Sequence, residues 1–316
     1  MKLVKIVPPD MNSAFDLPVM DTSAIVRKRL DIDYTPDKPH PARRLDLYLP
    51  ENGNGPFPTI VCIHGGAFIG GMKRDDQVAG FVDCVSEGFA VASVEQRLCL
   101  PRADGGYEAE GLFPNPLFDF KAAIRFLRAN AAVYGLDPAR FVTAGDSAGG
   151  YHAIMAAATA DLPAMYDDSL GFADVDGTVQ AVVDWFGCGD FVVQSAFNET
   201  FGATPITMPN GFEIPRIDFG SVFLGADCRT HSNLAYFASP ETWIAKNMPP
   251  VLLQHGDADV IAAPECARRI AEKIKARCGT DRVALDMFAG YAHGDARFYG
   301  QENLKRVTDW IRSKLA

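Results

Sequence analysis

The chain has 316 residues, of which 48% are hydrophobic and 22% charged, so it can bury a core and is not disordered, collagenous or coiled-coil. Lys and Arg number 30 against 40 Asp and Glu, and the net charge of −10 repels phosphate backbones and anionic lipid. Nucleic acid is therefore not an expected partner, and the length suits one large α/β domain.

The opening MKLVKIVPPDMNSAFDL has two lysines, but Pro8, Pro9 and Asp10 break the apolar run that a signal peptide needs, so a cytoplasmic protein is expected. No window holds the roughly eighteen uninterrupted apolar residues of a membrane span, and no membrane partner is expected. Residues 1–40 show no sustained period and read as an arm or rim, with order beginning near Arg43. RRLDLYLP alternates as a half-buried strand does, and Thr59 to His64 and Phe89 to Glu95 are β-branched or apolar runs of covered strands. Helix patterns run from Asp76 to Glu87 and from Leu117 to Tyr134, with Gly135 as a stop.

Phe141 to Gly145 is a further strand, followed after Ser147 by the alanine-rich helical stretch AGGYHAIMAAATA. Strands are expected at Val179 to Phe186, Pro250 to His255 and Arg282 to Phe288, and helices at Pro264 to Arg277 and Asp295 to Lys314. Strands alternating with helices imply a mostly parallel sheet covered on both faces. Gly187 to Pro249 breaks this rhythm, being far longer than a βα connection of about 2–6 residues. Its aromatics and Met208 (Phe191, Phe197, Phe201, Phe212, Phe219, Phe223) fit a cap over a site, or anchors of a long loop to the body.

Gly145-Asp146-Ser147-Ala148-Gly149 is a G-x-S-x-G sequence at a strand-to-helix turn. Small flanking residues let so tight a turn expose the serine, and the following helix N-terminus favours negative charge nearby. Upstream, His64-Gly65-Gly66-Ala67-Phe68 ends a strand with glycines that let backbone N–H groups converge on an oxyanion. The candidate donors are Gly66, Ala67 and Ala148. Gly65 and Gly70 have P-loop spacing, but Gly71 and Met72 follow where Lys and Ser or Thr belong, and no G-x-G-x-x-G opens a helix. No cofactor is expected. Seven scattered cysteines without a C-x-x-C pair suggest neither a disulfide framework nor a zinc site, so no metal is expected either.

A serine near neutral pH needs a base, and the base an orienting acid. Among six histidines, His64 belongs to the glycine turn, His152 lies along the helix after Ser147, His40 and His231 sit in irregular segments, and His255 ends a strand as a turn-former. His293 follows the last strand in a glycine-flanked loop and is the expected base. Asp257 and Asp259 both follow PVLLQH at a strand's carboxyl end; Asp259 is preferred, since the first aspartate after Gly256 more naturally caps the turn.

RRLDLYLP, HGGAF, Arg97-Leu98, DFKAAIRFLRANAAVYGLDPARF, GDSAGG, FGCGDF, ASPETWIAKNMPPVLLQHGDAD and YAHGD together resemble the α/β-hydrolase esterases of the hormone-sensitive-lipase-like group, in particular its bacterial branch of small feruloyl or acetyl-xylan esterase-like carboxylesterases. The resemblance runs from about residue 40 to the end and implies an α/β-hydrolase fold, with residues 41–316 as one domain and 187–249 as a cap. It also implies Ser147 as nucleophile, His293 as base, Asp259 as acid and an oxyanion hole at Gly66, Ala67 and Ala148. Ala67 in place of a third glycine keeps its N–H, whereas Gln96, Cys188 and Gly189 depart from the family pattern. The expected activity is metal-independent hydrolysis of small esters with short or aromatic acyl groups, acetylated or feruloylated carbohydrate among them. An amidase or peptidase of the same fold, such as an arylformamidase or prolyl-oligopeptidase relative, is the alternative, and a non-catalytic binding protein a third. Self-association is left open.

Overall fold

The computed structural model describes residues 18–207, 213–214 and 216–316. Eight strands form one sheet: β1 (Lys28–Asp33), β2 (Arg44–Tyr48), β3 (Phe57–Ile63), β4 (Ala90–Val94), β5 (Leu136–Asp146), β6 (Ala181–Trp185), β9 (Val251–Gly256) and β10 (Val283–Phe288). A separate ribbon pairs β7 (Ile206–Thr207) with β8 (Glu213–Ile214). The sheet order is β1-β2-β4-β3-β5-β6-β9-β10; β2 is antiparallel to both its neighbours, and the six strands from β4 to β10 are parallel.

Side chains alternate faces along a strand, so a sheet with helices on both sides needs apolar residues at every position. In β3, Ile60 and Cys62 face one buried cluster with Phe81, Trp185 and Ile311, while Val61 and Ile63 face the other with Phe120, Ile154 and Ile270. The helices at Asn115–Ala129, Ala148–Ala158, Pro264–Cys278 and Gln301–Leu315 supply these layers. Among the described residues, no helix is long and apolar enough to cross a membrane.

Several boundaries differ from the sequence expectation. Order begins before Arg43: Lys28–Asp33 is the edge strand, pairing with β2 through a register shift between Arg29 and Ile32. Asp31 takes φ 57 there, and Leu30 is 42% exposed, so the irregularity hides the alternation by which a strand is read. The first 17 residues of the expected arm lie outside the described residues. The helix expected at Asp76–Glu87 is three consecutive short turns, Asp76–Val78, Ala79–Asp83 and Cys84–Glu87. The one expected to begin at Asp295 instead breaks at Gly300, whose extended φ and ψ separate Ala296–Tyr299 from Gln301–Leu315. The helix expected at Leu117–Tyr134 runs as Asn115–Ala129 and, after Asn130, as a short helix Ala131–Tyr134 that Gly135 ends at φ 70.

The long interval before β9 folds into helices at Phe191–Glu199, Phe219–Leu224, Ser232–Ala238 and Pro240–Trp243. Phe191 and Phe223 anchor it to the body: Phe223 stacks on Phe68 at 4.0 Å, and Phe191 packs on Tyr151 at 5.1 Å between centroids. Met208 and Phe212 lie outside the described residues.

Candidate active site

The register sets Ile63 beside Gly145, Gly145 beside Asp184, and Gly256 beside Phe288, so the carboxyl ends of β3, β5, β6, β9 and β10 lie in one row. Open α/β sheets place ligands along this edge. Ser147 leaves β5 in a sharp turn at φ 53 and ψ −119, a strained conformation for a residue with a side chain. Its N–H donates to Trp185 O at 2.8 Å, and its carbonyl accepts from Tyr151 N at 3.1 Å, which holds the turn. A Cβ on Gly145 would lie 2.3 Å from the Gly149 carbonyl, and one on Gly149 would lie 2.1 Å from Ile63 O. The glycines of the pentapeptide are thus required by close backbone approach, as the sequence implied.

His293 lies between Gly290 and Gly294, both at positive φ, and its ring rests on Phe186 at 4.8 Å. His293 Nε2 is 2.9 Å from Ser147 Oγ, and Nδ1 is 2.8 Å from Asp259 Oδ2. Burial alone raises the Asp259 carboxyl, but the imidazoles of His293 and His255 outweigh it and hold the group below the usual carboxylate range. The ionised acid can only accept, so Nδ1–H donates to it and the Nε2 lone pair is left to accept from the serine hydroxyl.

Among the described residues, the backbone amides of Gly66, Ala67 and Ala148 donate to no partner, as do those of Phe68, Gly149 and Gly150 in the same two loops. Gly66 at φ 104 would bring a Cβ to 2.2 Å from Gly70 O, so only glycine fits there. Ala67 and Phe68 follow at φ 55 and 65, so a left-handed stretch turns the loop back. Gly70 N and Ile69 N both donate to Gly66 O, closing the turn.

Asp257 is placed differently. It is exposed, and its Oδ1 accepts from Gly290 N at 2.7 Å, tying the His293 loop to the β9 end. His255, read in the sequence as a turn-former, sends Nε2 to Asp259 Oδ2 at 3.1 Å from within the core. Its role was not legible, because β9 looks the same whether its last histidine meets solvent or the acid. His152 is fully buried among the rings of Phe68, Tyr151 and Phe223, without a partner for either nitrogen among the described residues, and burial above all keeps it neutral, with its pKa lowered to about 3. His40 and His231 touch neither Ser147 nor Asp259.

A model of the BD-FAE family matches residues 45–274, which contain Ser147, Asp259 and the glycine loop. The chain belongs to the BD-FAE family. Among curated relatives it is 28% identical over 257 residues to esterase LipC of Mycobacterium tuberculosis, covering 80% of this chain and 57% of that protein. Isoprenylcysteine alpha-carbonyl methylesterase ICME of Arabidopsis thaliana is 24% identical over 263 residues, covering 81% and 54%. The chain thus spans about half the length of the curated relatives it matches. Among solved structures, a truncated carbohydrate esterase from gut microbiota superposes with a TM-score of 0.72 at 23% identity, covering 95% of this chain and 99% of that one. The carboxylesterase EstE1 from a metagenomic library superposes with a TM-score of 0.68 at 24% identity, covering 96% and 92%. The sheet order and these superpositions establish the α/β-hydrolase fold.

In this BD-FAE chain the glycine loop is anchored from beneath by buried charge. His64 Nδ1 lies 2.8 Å from Gly65 O and Nε2 lies 3.0 Å from Glu95 Oε1. Both partners only accept, so both nitrogens donate and the ring is an imidazolium. Burial opposes that charge, but the bond to Glu95 and its field push the His64 pKa up to about 9. Glu95 Oε2 also accepts from Lys73 N at 3.2 Å, and Asp146 Oδ1 accepts from Gly65 N at 3.0 Å. Glu95→Ala removes what holds the charge on His64, so the buried ring loses its proton and, with Lys73 N, an acceptor; the expected cost is about 2–3 kcal/mol of stability, read from urea unfolding curves. A loss below about 1 kcal/mol would mean that the pair does not hold the loop.

Proposed function

We propose that the protein is a serine carboxylesterase, with Ser147 as nucleophile, His293 as general base and acid, Asp259 as the orienting carboxylate and Gly66, Ala67 and Ala148 as oxyanion donors. The observation that carries this reading is the unbroken relay from Ser147 Oγ to His293 Nε2 at 2.9 Å and from His293 Nδ1 to Asp259 Oδ2 at 2.8 Å. As Oγ attacks an ester carbonyl, its proton passes to His293 Nε2, and the amides of Gly66, Ala67 and Ala148 receive the oxyanion. Collapse expels the alcohol, which takes the proton from Nε2 and leaves an acyl-enzyme. Water activated by the same nitrogen then frees the acid.

In this reading the hydrolase domain expected at residues 41–316 also takes in the edge strand Lys28–Asp33, and 187–249 is its cap. The substrates are small esters with short or aromatic acyl groups, including acetylated or feruloylated carbohydrate. Support for carbohydrate comes from the gut esterase of similar fold, and support for ester cleavage from the esterase relatives. A panel of p-nitrophenyl esters from acetate to decanoate, with methyl ferulate, an acetylated xylo-oligosaccharide and N-formylkynurenine, tests it. Acetate and butyrate should turn over fastest, with kcat/KM falling about tenfold or more by decanoate. A marked preference for N-formylkynurenine would move the protein to the amide-cleaving hydrolases.

A further inference from the structure

The peptide groups between Asp259 and the helix at Pro264 belong to no strand or helix, and from Ile261 to Ala263 they pass from half-buried to buried, so each needs a partner. Asp259 provides two bonds, its Oδ1 accepting the N–H of Ile261 at 2.8 Å and of Ala262 at 2.9 Å. His255 Nε2 lies 3.3 Å from Ala262 O, Cys266 N donates to Ala263 O at 2.9 Å, and three further bonds come from the inserted segment. Gln194, on the Phe191–Glu199 helix, donates Nε2 to Ile261 O at 2.8 Å and accepts the Ala263 N–H at Oε1 at 2.9 Å. Arg216 donates Nη1 to Val260 O at 2.9 Å. One side-chain amide thus pairs with the loop as an adjoining strand would, through both its donor and its acceptor.

The element carrying Gln194 is itself held. Asp190 caps the helix by accepting from Val192 N at 2.8 Å and Val193 N at 3.0 Å, and Ser239 Oγ accepts from Phe191 N at 2.9 Å. Gln194 is only 5% exposed, so water does not readily replace a lost bond. The Ile261 and Ala262 amides that Gln194 steadies are those that grip Asp259 Oδ1, and this grip decides where Oδ2 points. A supporting bond of this kind orients a reacting group without touching substrate.

We infer that Gln194 is a positioning residue for ester hydrolysis: its amide clamps the Ile261–Ala263 backbone and thereby aims the Asp259 carboxylate at His293. The inference rests on Asp259 being the acid of the proposed relay. It makes the insertion part of the machinery that aligns the acid, beyond any part it has in covering substrate.

The test uses p-nitrophenyl acetate with the full chain and the variants Gln194→Met, which keeps the length and removes both bonds, and Gln194→Glu, which keeps the acceptor for Ala263. Gln194→Met should lower kcat about tenfold with KM within about twofold, and Gln194→Glu should fall between it and the wild type. In an Asp259→Asn background, Gln194→Met should lower kcat by less than about twofold, because its effect travels through the carboxylate. Equal losses in both backgrounds, or a loss carried by KM, would overturn the inference. Should circular dichroism show Gln194→Met unfolded, Gln194→Glu carries the same comparison. Full activity in Asp259→Asn alone would remove the acid assignment and the inference with it, whereas a crippled Asp259→Asn beside an unaffected Gln194→Met removes the inference only.

Discussion

Ser147→Ala and His293→Ala are each expected to lower kcat on p-nitrophenyl acetate by about three or more orders of magnitude. The size follows from what each group supplies. Without Oγ there is no acyl-enzyme, and without the imidazole the hydroxyl 2.9 Å away has no acceptor for its proton. Neither change should unfold the chain: Ser147 Oγ has His293 as its partner, and the turn is held by backbone bonds to Trp185 and Tyr151 that alanine retains. The double variant should be no worse than either single one, since the two act as a unit, and the proposed oxyanion donors should leave residual turnover above that of water. Steady-state rates with folding checked by circular dichroism decide the matter. A single variant keeping more than about a tenth of wild-type kcat would mean that the serine and the imidazole do not carry the reaction.

How much of this was legible in the sequence depended on whether a feature is local. Val61, Cys62 and Ile63, or Val182 and Val183, announce covered strands because both faces of a parallel sheet are apolar. Gly145 and Gly149 announce the turn because backbone passes within 2.3 Å and 2.1 Å of where their Cβ atoms would be. Ser147, Asp259 and His293 could be named from order and spacing, since each follows a recognisable strand. Partners that meet only through the fold were not legible. Glu95 follows β4 as a solvated carboxylate would, yet folding brings it to within 3.0 Å of His64. Gln194 lies in a segment without strand rhythm, and its tie to Ile261 and Ala263 spans most of the insertion. The edge strand β1 escaped notice because a register shift, not a turn, breaks its alternation.

The two aspartates after β9 should separate sharply: Asp259→Asn is expected to lower kcat by about three to four orders of magnitude, and Asp257→Asn by less than about threefold. Asp259 Oδ1 is committed to the N–H groups of Ile261 and Ala262, so an asparagine there places its carbonyl on that side. Its NH2 then faces His293 Nδ1 and His255 Nε2, both of which donate to a carboxylate oxygen in the wild type. The favourable escape is for His293 to change tautomer, with Nδ1 accepting and Nε2 carrying the hydrogen. A protonated Nε2 cannot receive the serine proton, so the substitution disables the base while hardly changing the volume of the site. Asp257 faces solvent and accepts one bond, from Gly290 N at 2.7 Å, which the carbonyl of an asparagine can also accept. The loop carrying His293 therefore stays tied to β9. Paired kcat measurements on the two variants under identical conditions give the answer as a ratio, and a larger loss at Asp257 would transfer the acid's role to it.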